Sequence, residues 1–349
     1  MKDINITISE KPSGIITIRT KNRVSKYPMK SMTQNYWRIL SDSMRGNTEN
    51  VIVRSDGSLE SISSSLDSGN RFQLDAGNSN TWGIRVGTGL SNVSLEDISL
   101  DTAINHGSLN GQLNYLDCLV KSEDQSVSLV RVFENLSGSP ILISEAGIFA
   151  RREVDSLSNN NPYMFARDLL PEAEEIQDSE LCTISAGMSV ANGTRNACLL
   201  FKNFDSNSAT ETFYHSDGTT SQRLPTDINC YDIQGSDEGG ILAGMGDREN
   251  DFNDIDLEER ISNGAGYNNL IYGEMEISPY SIIENTISWR MSRTILNISG
   301  ESIVIKEIGV FAFQQGKRTL LYRVPLPNEV SIGDQVERTI NINFRYFII

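Results

Sequence analysis

Histidine is almost absent. The 349-residue chain has only His106 and His215, so a Ser-His-Asp triad or a histidine-ligated metal has little to build on. The four cysteines, Cys118, Cys182, Cys198 and Cys230, form no C-x-x-C pair and carry no histidine at ligand spacing. This excludes the usual zinc and dithiol signatures, and separate thiols are expected. Long apolar runs are missing, and Met1-Lys2-Asp3-Ile4-Asn5 lacks the apolar core of a signal peptide, so a soluble chain without membrane contact is expected. Basic charge is scarce too, with 30 Lys+Arg against 46 Asp+Glu and a net charge of −16. Nucleic-acid affinity comes largely from Lys and Arg on phosphates, so no sequence-specific binding is expected. An acidic surface suits instead a wall that repels passing DNA.

What is present is short apolar runs separated by Asn, Ser, Asp and Gly, the composition of strands and turns. The length allows two domains. Internal repeats support that division, because four blocks recur in the same order. The first pairs Thr33–Leu40 and the turn Asp56-Gly57 with Thr194–Phe201 and Asp217-Gly218. The second pairs Gly87-Thr88-Gly89 and Leu95–Leu100 with Gly244-Met245-Gly246 and Phe252–Leu257. The third is the most specific: Arg131–Gly138 matches Arg293–Gly300, and Ile141–Phe149 matches Ile303–Phe311, polar residues and glycines included. The fourth aligns Ala166-Arg167-Asp168 with Tyr322-Arg323-Val324. The expected fold is therefore all-β with a few short helices, as two tandem, homologous β-sandwich-like modules. Residues 1–186 would form the first module with an N-terminal extension, and residues 187–349 the second.

Alternation places Leu129, Arg131 and Phe133 on one strand face and Ile141, Ile143 and Glu145 on one face of the next. If the two runs fold as a hairpin about Gly138, Arg131 falls opposite Glu145, and Arg293 falls opposite Glu307 about Gly300. Charges on an apolar face must be paired, so two fold-specifying ion pairs are expected: Arg131–Glu145 and Arg293–Glu307. Gly87, Gly89, Gly138, Gly147 and their counterparts Gly244, Gly246, Gly300 and Gly309 are expected at turns. Gly87-Thr88-Gly89 lacks the lysine, the third glycine and the βαβ setting of a phosphate loop. Asp247–Asp256 resembles a calcium loop in composition only. No metal or cofactor is expected. The segment 31–44 has the spacing of a short amphipathic helix, and 95–104 mixes helix and strand spacing. A pair of carboxylates able to hydrolyse a glycoside has no sequence signature and stays open.

At Trp82-Gly83-Ile84-Arg85-Val86-Gly87-Thr88-Gly89, Arg131-Val132-Phe133-Glu134-Asn135, Glu145-Ala146-Gly147-Ile148-Phe149 and Ala166-Arg167-Asp168-Leu169-Leu170 the chain resembles a recurrent class of phage tail-associated proteins. The second half departs from that pattern at Met245 and Val324. Within the class, the nearest similarity is to ring or collar proteins of short-tailed phages such as the crAss-like group. The resemblance implies a non-enzymatic virion structural protein of the tail or head-to-tail connector, assembled in the host cytoplasm. Its partners would be itself in a closed ring around the DNA channel, and neighbouring tail or portal proteins. The alternative is a receptor- or glycan-binding tail fibre or baseplate module, for which Trp82, Tyr115, Tyr163 and Trp289 would supply aromatic platforms.

Overall fold

Branched aliphatic residues alternating with Ser, Thr, Asn and charged residues favour pleated strands, and the computed structural model is all-β with one helix among the described residues. It describes residues 3–10, 13–29, 31–45, 50–62, 72–74, 79–123, 126–152, 160–189, 193–194, 211–223, 239–251, 253–283, 286–314 and 317–347. In chain order these form β1 (Ile4–Glu10), β2 (Ser13–Arg19), β3 (Val24–Met29), α1 (Gln34–Arg45), β4 (Asn50–Val53), β5 (Leu59–Ile62), β6 (Phe72–Gln73), β7 (Gly83–Gly87), β8 (Asn114–Glu123), β9 (Ser126–Glu134), β10 (Ile141–Arg152), β11 (Tyr163–Ile176) and β12 (Leu181–Ser189). There follow β13 (Glu211–Tyr214), β14 (Thr220–Arg223), β15 (Gly240–Gly244), β16 (Ile271–Ile277), β17 (Ser281–Ile283), β18 (Thr286–Asn297), β19 (Ile303–Gln314), β20 (Lys317–Ile332) and β21 (Val336–Phe347).

In the first half, one antiparallel sheet runs β3-β2-β12-β9-β8, and a second is built on β10, with β11 on one side and β7 and β6 on the other. Ile16, Met29, Ile184 and Ala186 of the first sheet line one narrow cavity with Ile84, Ala146, Ile148 and Ala166 of the second. The sheets therefore face each other across an apolar interior. In the second half, β15-β19-β20 repeats β7-β10-β11 residue by residue: Gly87 pairs with Glu145, and Gly244 with Glu307. Even the irregularities recur. β10 and β19 slip register after Ile143 and Ile305, and β8 and β16 bulge after Tyr115 and Tyr272. The hairpins β4–β5 and β13–β14 share one turn, in which Asp56 accepts from Ser58 N and Asp217 from Thr219 N, each at 2.9 Å.

Three expectations change. The runs after Gly138 and Gly300 are not hairpins: β9 and β10 lie in different sheets, as do β18 and β19. Asn135 is the reason, because its side-chain amide donates to Ser139 O at 2.9 Å and to Ile176 O at 2.8 Å, turning the chain across the sandwich. Asn297 does the same toward Glu301 O and Ile332 O. The 186/187 boundary falls inside β12, which runs on to Ser189. The N-terminal segment is also no extension of the first half, since β1 pairs in parallel with β21 from Ile4↔Ile340 to Glu10↔Tyr346.

The helix expected at 31–44 is α1, which buries Tyr36, Trp37 and Ile39. Its Asn35 side chain is bonded to both backbone groups of Val53, and Arg38 Nε donates to Tyr280 Oη of the second half at 3.1 Å. Residues 95–104, whose mixed spacing allows a short helix or a surface-packed loop, form the loop, with Leu100 and Ile104 buried. Cys198 and Cys230 lie outside the described residues, whereas Cys118 and Cys182 are buried thiols in no disulfide. Burial, helped by the nearby Glu180 charge, pushes the Cys182 thiol up to about 12. The thiolate is the nucleophile, so Cys182 should resist iodoacetamide at pH 8 in the folded protein and react once denatured, as read by peptide mass spectrometry. Rapid native labelling would show that β12 opens.

Candidate functional site

The chemistry-bearing side chains converge where the two sheets meet, and they do so twice. β7 pairs with β10 along one side, and on the other only its end is bridged, Ile104 N donating to Val86 O and Thr88 N to Thr102 O, so the carbonyls at its start have no strand partner among the described residues. Arg131, on β9 of the opposite sheet and fully buried, supplies their donors. Its Nη1 donates to Trp82 O and Ile84 O, each at 2.8 Å, and its other terminal nitrogen to Ser79 O. Its Nε donates at 3.2 Å to Leu116 O, one of the carbonyls inside the β8 bulge. One planar group with five donors thus satisfies an edge and a bulge together, which an ammonium could not match in geometry. The guanidinium lies 5.2 Å from the Tyr115 ring centre, and burial lowers its pKa from the usual arginine value. Arg293 repeats the arrangement: Nη1 donates to Gly239 O and Ile241 O at the β15 edge, Nε to Gly273 O in the β16 bulge, and the guanidinium lies 5.0 Å from the Tyr272 ring centre.

The expected pairs Arg131–Glu145 and Arg293–Glu307 are therefore corrected. The hairpin geometry that put them opposite one another does not exist, and Glu145 is held by Arg167, Nε to Oε2 at 2.8 Å. Its Oε1 accepts from Gly89 N at 3.0 Å and Thr102 N at 2.9 Å, and its Oε2 also from Asp101 N at 3.1 Å. Arg167 reaches on to Asp97 at 2.8 Å and to Ser91. Its burial opposes the charge, but the hydrogen bonds it donates to Asp97 and Glu145 outweigh this and raise its pKa. Asp101 in turn caps the 90–91 loop, where the amides of Ser91 and Leu90 hold its carboxyl below the ordinary range. In the second half Glu307 takes Arg323 Nε at 2.6 Å and Glu259 N at 3.2 Å, and Arg323 reaches Asp254 at 3.1 Å.

The glycines divide into two kinds. Gly138 and Gly300 have φ of 78° and 86° and serve turns as expected. Gly87, Gly89, Gly244 and Gly246 are instead required because a side chain would occupy the place of the carboxylate. A Cβ on Gly87 would lie 2.4 Å from Glu145 Oε1 and 2.5 Å from Thr102 O, and one on Gly244 would lie 2.5 Å from Glu307 Oε1. Gly147 and Gly309 are close-packed too, against Leu100 and Leu257. The G-x-G pairs are thus cradles for a buried glutamate.

Arg167, Arg323, Asp97 and Asp254 carry the nodes and were not singled out from sequence. Their signal was there, since each occupies a matched position in the repeated blocks. Asp254, within the calcium-like stretch, accepts from Arg323, Arg248 and the amide of Asp251. No group of three metal-ligating side chains occurs among the described residues. His106 Nδ1 accepts from Tyr115 N, while His215 lies between Thr319 Oγ1 and Ser221 Oγ. Tyr115, Tyr163 and Trp289 are core residues, and the half-buried Trp82 carries Arg151 over its ring at 4.4 Å. No family model, curated protein or solved structure matches the chain.

The nodes hold structure. Arg131→Met should cost about 3–5 kcal/mol by stranding buried carbonyls, with Arg131→Lys restoring only part of it in denaturant titrations. A loss below 1 kcal/mol would refute the bridging role. Gly87→Ala should likewise cost more than Gly138→Ala, whose added Cβ meets nothing within 4 Å and whose cost, about 1 kcal/mol, is backbone strain alone. Equal chevron-derived stabilities would refute the cradle.

Proposed function

We propose that this chain is a bacteriophage virion structural protein, part of a tail or head-to-tail connector ring around the DNA channel, without enzymatic activity. It consists of two tandem, homologous β-sandwich-like modules. The observation that carries the reading is the repetition of one Arg/Glu network, with its edge, bulge and glycine cradle, at matched strand positions in both halves. Its guanidinium and carboxylate groups are bonded to one another and to the backbone of both sheets, the cross-bracing that a load-resisting wall requires. A surface hollow of about 590 Å³ is lined by Arg19, Lys21, Asp178 and Glu180, charges of both signs. The net charge of −16 suits a surface past which DNA moves without sticking.

The partners are further copies in a closed ring and adjacent tail or portal proteins, and the location is the virion, reached by assembly in the host cytoplasm. A glycan-binding fibre module would want exposed aromatic platforms, and three of the four aromatics weighed for that role lie in the core. Light scattering on the purified protein, alone and mixed with other virion components, should give a discrete large oligomer. A persistent monomer, or a compact trimer that binds bacterial glycan, would refute the ring reading.

A further inference from the structure

Two strands that are neighbours in sequence lie in different sheets. β1 ends at Glu10 and β2 begins at Ser13, so only Lys11 and Pro12 stand between them. β2 pairs antiparallel with β12, while β1 pairs in parallel with β21, the strand that corresponds to β12 in the repeat. Without β1, β21 would present a bare edge along seven residues, a surface that templates strand addition. The fit is specific. Ile4, Ile6 and Ile8 are buried alongside Ile340, Ile342 and Phe344. Asn341 Nδ2 donates to Asn5 Oδ1 at 3.2 Å, and Asn343 Nδ2 to Ile6 O at 3.3 Å.

We propose that the β21 edge is the assembly acceptor of this protein and that in the assembled state its occupant is β1 of a second copy of the chain. The structure itself displays the complementarity, because the strand seated there is this chain's own. Exchange would remake the same hydrogen bonds and apolar contacts, so its cost is confined to association entropy, and a short connection between two strands of different sheets is where such exchange arises. Reciprocal exchange between two copies would close a symmetric dimer, whereas donation in one direction is head-to-tail and propagates around a closed ring, the form that the ring reading requires. This inference rests on the ring reading.

The test places Cys at Thr7 and Asn343, register partners on the outer face of the pair, in the full-length chain. After oxidation the species are compared with the wild-type chain and with the Thr7→Cys and Asn343→Cys variants, each carrying the same four native cysteines, on non-reducing gels, alongside light scattering. A companion variant deletes Lys11 and Pro12, so that β1 cannot reach its own β21 while β2 stays in place. Disulfide-linked multimers from the double variant, together with multimers from the deletion variant even on dilution, are the expected result. An oligomer whose disulfides all lie within single chains would overturn strand exchange while leaving the ring reading intact. A deletion variant that stays monomeric would overturn the acceptor edge itself, whatever the wild-type mass.

Discussion

A buried guanidinium that feeds the carbonyls at the start of an edge strand is the constraint from which the rest of this architecture follows. In a two-sheet fold the edge strand leaves carbonyls facing the interior, where no water can serve them. Arg131 and Arg293 solve this from the opposite sheet and use their remaining donor on a carbonyl exposed by a bulge. Edge, bulge and arginine are mutually required. Removing the bulge would pair the carbonyl in the ladder and displace Nε, and removing the arginine would strand both sheets' acceptors.

The second node, a glutamate cradled by two glycines and an arginine, follows from the same economy. The β7 and β15 strands end at Gly87 and Gly244, and the chain then loops over the sandwich through residues 88–104 and 245–261. Those loops are tied to the strands at their ends, by the bridges Gly87↔Ala103 and Gly244↔Arg260. Glu145 and Glu307, buried at 0% exposure, provide acceptors for their amides, and Arg167 and Arg323 neutralise the charge. Loops fastened this way are held to the strands beneath them, and the buried charge is internally paired.

Much of this could be read in the sequence, and what could not has identifiable causes. The all-β class and the recurrence of Arg131–Phe149 as Arg293–Phe311 were visible because strand alternation and glycine positions survive in both copies. Burial of Arg131, Glu145, Arg293 and Glu307 followed from alternation as well. Their partners did not, because symmetry about Gly138 holds only if the flanking strands pair, and Asn135 sends them to different sheets. Gly87 and Gly138 look alike in sequence, yet one is there for the volume a Cβ would take and the other for its positive φ. The parallel union of β1 with β21 joins residues more than three hundred positions apart, a distance no local pattern encodes.

The central claim is that the paired nodes are rigid structural joints in both halves. Native-state hydrogen exchange resolves it, because Gly89, Asp101, Thr102 and Glu259 lie outside the strands and owe their protection to the glutamates. The account expects these four loop amides to exchange as slowly as the core of β10 and β19, opening only with global unfolding. Fast exchange at these amides, with the strands still protected, would show that the nodes open independently and would contradict the account.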